Sequence, residues 1–175
     1  IHGGALVTGG SSSIMYELKH LAKRGVVVVS INYRLGPLGF LRLGEVTNNQ
    51  INSSGNEGLI DQRNAIKWVK ENISSFGGDP NNITIFGESA GSWSVNVLQA
   101  SPLTKGLFHK AIGQSGARLI PLTHLNKRTT YSKSAEELGL DWSKVMAGKN
   151  TPSLKELIKI PPMTIISNLE KDPLY

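Results

Sequence analysis

Five residues carry the sharpest chemical signal in the sequence: Gly87-Glu88-Ser89-Ala90-Gly91, set between the apolar run Ile83–Phe86 and a segment with helical spacing from Ala90 to Gln99. A serine hydroxyl is a poor nucleophile until a base takes its proton and N–H donors stabilise the oxyanion formed on attack. A serine between two glycines at a strand-to-helix turn meets part of that need. The glycines permit a turn too tight for side chains, the hydroxyl projects from the apex, and the next backbone N–H lies at a helix start. The bland alternative is a serine capping a helix beside fortuitous glycines. The predicted strand before it and helix after it favour the nucleophile.

A second element precedes it. Ile1-His2-Gly3-Gly4-Ala5-Leu6 places small residues where backbone can approach a substrate oxygen closely. A His-Gly-Gly loop upstream of the serine is the arrangement that adds oxyanion N–H groups in α/β-hydrolases. Alone it would pass for a tight turn; in this order the two stretches form two parts of one mechanism.

The stretches IHGGA, VSINYRLGPLGFL, GNEGLIDQRNAIKWVKENISSFGGDPNNITIFGESAGS and GLFHKAIGQSG resemble the type-B carboxylesterase and cholinesterase family, from Ile1 to about Gly116. The rest of the chain is similar only in general character. The resemblance implies an α/β-hydrolase fold, with a central, mostly parallel sheet flanked by helices and only part of the domain present. It implies a serine carboxylesterase with Ser89 as the acylated nucleophile and a small carboxylic ester as substrate. Gly4, Ala5 and Ala90 would donate the oxyanion N–H groups, and Glu88 would support the site as a buried polar group. His2 would orient its loop, and Arg34 and Asp61 would form a buried ion pair beneath the site. A non-catalytic adhesion or interaction protein of the same fold is the alternative, and the retained Ser89, Gly4 and Ala90 weigh against it. Two positions depart from the family's frequent residues: Gly4-Ala5-Leu6 stands for Gly-Gly-Phe, and Ser92 for a glycine.

The elements that must position these residues alternate. Ile14 to Arg24 has helical spacing, with Ser13 as N-cap and Gly25 just past its end. Val26–Val29 with Ile31 reads as a parallel strand covered on both faces. Arg34 to Gly55 reads as a long loop, and Asn56 can cap a helix through Leu59, Ile60, Ile66, Val69 and Ile73. Lys110–Gly113 reads as a strand, and Lys127–Leu138 and Ser153–Lys159 as helices. Such alternation indicates an α/β fold with a mainly parallel sheet.

Composition sets limits. The 175 residues suffice for one domain core. The net charge of +6 comes from scattered lysines and arginines, so no nucleic-acid surface is expected. No apolar run approaches a membrane span. With no cysteine, and with His20, His109 and His124 isolated, neither metal nor cofactor is called for. Those histidines read as solvated or capping, and Trp68 and Trp93 as helix packing. Asn52, Asn72 and Asn82 begin glycosylation triplets that matter only on a secretory route.

The order Ser, then acid, then His of α/β-hydrolases is not met after Ser89. The histidines there are His109 and His124, no acid lies between Ser89 and His124, and no histidine follows the later acids. Residues 1–175 therefore read as an internal piece of a single esterase domain. The upstream strands and the downstream acid and histidine would lie outside it, and the piece alone would be inactive.

Overall fold

A computed structural model describes residues 1–44, 46–48, 50, 53–117, 123–130 and 132–168. In chain order the elements are α1 (Lys19–Ala22), α2 (Gly36–Phe40), α3 (Glu57–Asn72), β1 (Thr84–Glu88), α4 (Ala90–Ala100), β2 (Lys110–Gln114), α5 (Ala135–Ala147), α6 (Leu154–Leu157) and α7 (Pro162–Ser167), with short 3-10 turns between some of them. The chain divides into two compact units, residues 1–35 with 58–119 and residues 36–57 with 120–175.

The first unit carries the sequence motifs. β1 and β2 pair in parallel, Thr84 opposite Lys110 through Glu88 opposite Gln114. The crossover between them is α4, a helical connection of the kind that parallel pairing requires. Ile66 of α3, Ile85 of β1, and Val95 and Leu98 of α4 form the buried core. Beside it Gln62 is fully buried and its amide donates to Ser94 Oγ at 3.1 Å, tying α3 to α4. α3 ends in a 3-10 turn, Ile73–Phe76, closed by Gly77 at φ 80°, where an L side chain would be strained.

Two expectations fail in this unit. Val26–Ile31 joins no strand pairing among the described residues, and Val26, Val27 and Val29 are 53%, 46% and 40% exposed. Val26–Val29 and Ile31 line a cavity of about 360 Å³ together with Ile83–Phe86 instead of pairing with that segment. An extended segment becomes a strand only when its N–H and C=O groups find partners. The helix expected over Ile14–Arg24 is broken into a 3-10 turn, Ile14–Tyr16, and the single turn α1. Ser13 does cap the first piece and Gly25 does follow the second, at φ 83°. Ile14 and Met15, however, point outward at 87% and 77% exposure, so no continuous apolar face is buried.

In the second unit Leu41, Trp142 and Leu157 form the buried core. Arg42 Nε donates to Glu136 Oε1 at 2.5 Å, and Arg42 Nη1 donates to the Ser53 carbonyl. The helix expected over Lys127–Leu138 begins instead after Ser134 and runs to Ala147. A capping box sets that start: Ser134 Oγ accepts from Glu137 N–H while the Glu137 carboxylate accepts from Ser134 N–H. The helix expected over Ser153–Lys159 is present in shorter form as α6. Among the described residues no helix is long and apolar enough to cross a membrane.

Candidate active site

Ser89 sits between β1 and α4 with φ 54° and ψ −120°. An L-residue holds such a backbone only at a cost of about 1–3 kcal/mol, sustained by surroundings that over-determine it. Three backbone segments do this here. A Cβ on Gly87 would lie 2.5 Å from the carbonyl carbon of Gly91 and 2.9 Å from the Ile1 carbonyl oxygen. A Cβ on Gly91 would run into the Ile1 carbonyl and stand 2.9 Å from that of His2. Both glycines of the motif are thus places where strand, helix and the first two residues of the chain touch. The Ser89 N–H donates to the Gln114 carbonyl at 2.9 Å, and its carbonyl accepts from Trp93 N–H at 3.1 Å, so the peptide groups on both sides are fixed.

The hydroxyl is left over. Ser89 occupies the N-cap position of α4, yet its side chain makes no capping bond, and Oγ has no hydrogen-bond partner among the described residues. That geometry removes the reading of Ser89 as a helix cap. Ala90 follows as the first residue of α4, fully buried, its N–H among those a helix start leaves without an intrahelical acceptor.

The loop of Ile1–Gly10 packs against this turn. A Cβ on Gly3 would stand 2.8 Å from the Glu88 carbonyl oxygen and 3.1 Å from Ser89 Cβ, so only glycine passes there without displacing its neighbours. Gly4, Ala5 and Leu6 follow with φ of 109°, 55° and 67°. The Gly4 carbonyl accepts from both Val7 and Thr8 N–H at 3.0 Å, which closes the turn. The N–H groups of Gly4 and Ala5 have no acceptor among the described residues. The structure therefore brings Gly3, Glu88 and Ser89 into one cluster, with Gly4, Ala5 and Ala90 next to it in the chain.

His2 is buried at 3% exposure, its Nδ1 lying 2.8 Å from the Gly3 carbonyl oxygen. Its ring stacks on Tyr33, centroids 4.4 Å apart and planes 18° off parallel. Tyr33 donates its hydroxyl hydrogen to the His2 carbonyl at 2.8 Å. Burial, with Tyr16 nearby as a lesser cause, pushes the Tyr33 phenol up to about 12, so it remains a neutral donor at neutral pH. Gly3 N–H donates to Tyr16 Oη at 2.9 Å, and Tyr16 in turn reaches Glu88 Oε2 at 3.4 Å. Neither tyrosine stood out in the sequence: Tyr33 lies inside the quoted NYR stretch, and Tyr16 falls in a segment read as an ordinary helix.

Arg34 and Asp61 do pair, with two side-chain contacts of 2.8 and 2.9 Å and a third from the Arg34 backbone N–H at 3.1 Å. The burial expected for this pair is not found: the Arg34 side chain is 52% exposed and that of Asp61 26%. Trp68 is likewise 49% exposed, tilted against Phe76 on the outer face of α3. His109 caps the start of β1: its Nδ1 accepts from Ile83 N–H at 3.1 Å. His20 and His124 are exposed and Trp93 is half-buried on α4. Ser92 is buried opposite Gly113 and Gly116, where a Cβ at either glycine would press on its side chain. Asn72 donates to the Trp68 carbonyl and Asn82 accepts from Lys110 Nζ, while Asn52 lies outside the described residues.

A serine on a glycine-flanked strand–helix turn, with a small-residue loop beside it, is an arrangement that α/β-hydrolases share, and comparison with known proteins narrows this. The model of the carboxylesterase family matches residues 1–171, and the chain belongs to that family. It is 46% identical over 160 residues to para-nitrobenzyl esterase of Bacillus subtilis (strain 168), covering 91% of this chain and 32% of that protein. It is 48% identical over 147 residues to the bile salt-activated lipase of Homo sapiens, covering 79% of this chain and 19% of that protein. The solved structure of a Geobacillus stearothermophilus carboxylesterase superposes on all of this chain and 35% of its own, with a TM-score of 0.86 and 41% identity. The chain thus spans about a third or less of these relatives, each of which is named as an enzyme.

Proposed function

We propose that the protein carrying this chain is a serine carboxylesterase. The observation that carries the reading is Ser89 itself, held in a strained turn with its hydroxyl making no hydrogen bond among the described residues. Such strain persists where the surroundings impose it, and it clusters at reacting groups. In the proposed reaction Ser89 Oγ attacks the ester carbonyl carbon and passes its proton to a base. The carbonyl oxygen becomes an oxyanion facing the N–H groups of Gly4, Ala5 and Ala90. Collapse of this intermediate expels the alcohol, which takes up that proton, and leaves an acyl group on Ser89. Water then attacks the acyl carbonyl with help from the same base and releases the acid. Glu88 adds negative charge beside the nucleophile, where it favours the protonated base. That base and its acid come from outside residues 1–175 in this proposal, since the chain order Ser, acid, His is not available within them.

The test is labelling. In the intact protein an organophosphate should modify Ser89, and Ser89→Ala should abolish turnover of small activated esters while the fold persists. A label recovered on another residue overturns the assignment.

A further inference from the structure

The carbonyl of His2 and the N–H of Gly3 belong to one planar peptide unit, which moves as a rigid plate. Both poles of that plate are gripped by a phenol: Tyr33 donates to the carbonyl at 2.8 Å, and Tyr16 accepts from the N–H at 2.9 Å. The two bonds point in opposite directions, so together they fix the rotation of the plate about the line joining its two Cα atoms. The next two peptide units in the chain carry the N–H groups of Gly4 and Ala5. Those groups follow whatever direction the plate sets, through a stretch in which φ is positive at three successive residues.

The surroundings suit this purpose. The 3-10 turn Ile14–Tyr16 exposes Ile14 and Met15 almost fully and directs Tyr16 alone inward. With one lone pair of Tyr16 taken by Gly3 N–H, its own hydrogen is directed to Glu88 Oε2, 3.4 Å away, on the residue before Ser89. A continuous chain of polar contacts therefore runs from Tyr33 through the His2–Gly3 peptide and Tyr16 to Glu88, linking the loop to the serine turn.

We propose that Tyr16 and Tyr33 are positioning residues that aim the N–H groups of Gly4 and Ala5 at the oxygen developing charge beside Ser89. The esterase part of this proposal rests on the function proposed above; the grip on the loop does not. Tyr16→Phe and Tyr33→Phe each remove one hydroxyl and keep the ring, so ring packing is retained. Losing an oxyanion donor outright costs about 10²–10³ in rate, and misaiming it should cost less. In the intact enzyme we expect kcat to fall about 10–100-fold in either variant with KM within about twofold, the pattern of an interaction made in the transition state. The double variant should lose less than the product of the two single losses, because both hydroxyls hold one plate. Hydrogen exchange of the amides in the segment of residues 1–8 should speed up in both variants. Should one variant fail to fold, the other carries the same test. Folded variants with kcat within twofold of the parent, or with only KM raised, overturn the proposal, as does unchanged exchange. If the parent itself neither turns over esters nor is labelled at Ser89, the esterase reading falls, and the exchange measurement still decides whether the tyrosines hold the loop.

Discussion

Replacing Ser89 by glycine should make the protein more stable than replacing it by alanine, although both changes remove the hydroxyl. At φ 54° and ψ −120° the Cβ is the source of strain, and alanine keeps it. The strain is of order 1–3 kcal/mol for a residue forced into a sparsely populated region. Glycine relieves it, but also widens the freedom of the unfolded chain, which offsets about 0.4–1 kcal/mol. The net expectation is that Ser89→Gly exceeds Ser89→Ala by about 0.5–2 kcal/mol. Because Oγ makes no hydrogen bond among the described residues, no lost contact confuses the comparison. Urea unfolding of the two variants side by side gives the difference directly, with the m-values showing whether the transitions are comparable. If the glycine variant is equal to or less stable than the alanine variant, the turn is not strained in the way its dihedral angles indicate, and strain does not mark Ser89 as a reacting group.

Two further expectations concern charge and pH. Hydrogen bonding from Arg34 holds the Asp61 carboxyl below its usual value, 3.8, so the stabilisation is complete above that pH and is lost as pH falls through the lower folded value. With Arg34 half exposed, Asp61→Asn should cost about 0.5–1.5 kcal/mol at neutral pH and much less in acid. A loss above about 3 kcal/mol at neutral pH would indicate a buried pair after all. Tyr33 behaves in the opposite sense: with its phenol raised from 10.0 to about 12, its contribution is complete below pH 10 and is lost as pH rises toward 12. Two units correspond to at most about 2–3 kcal/mol, so Tyr33→Phe should flatten the alkaline end of a stability–pH curve, and an unchanged slope would contradict the burial of that hydroxyl.

What was legible in the sequence was legible because the information is local. The strand before Ser89, the turn and the helix after it are encoded within residues 83–100, and β1, Ser89 and α4 stand where the pattern placed them. The glycines of the turn read correctly as tight spots, but not what they touch: Gly91 meets Ile1 and His2, some ninety positions upstream. Val26–Ile31 has strand composition, but strand formation needs a partner at hydrogen-bonding distance, and composition does not show whether one is there. The apolar spacing of Ile14–Arg24 gave a helix because periodicity does not reveal that Ile14 and Met15 face outward. The start of α5 was readable, since Ser134 and Glu137 form the Ser-x-x-Glu signature of a capping box. The helix expected over Lys127–Leu138 overlooks that signature and starts too early. Tyr16 was beyond reach, as nothing local joins it to Gly3 and Glu88.

The Ser89 hydroxyl, without a hydrogen bond among the described residues, also bears on how such a protein can change over time. The described scaffold draws no hydrogen bond from that oxygen, whereas Gly87 and Gly91 are held in place by backbone approaching from several sides. A single nucleotide change at codon 89 would therefore end the proposed reaction and leave the architecture whole, even slightly relaxed. A change at either glycine would damage the architecture first. Descent within this fold is thus asymmetric: chemistry is lost easily and the frame outlasts it, so a descendant keeping the frame has it free for binding alone.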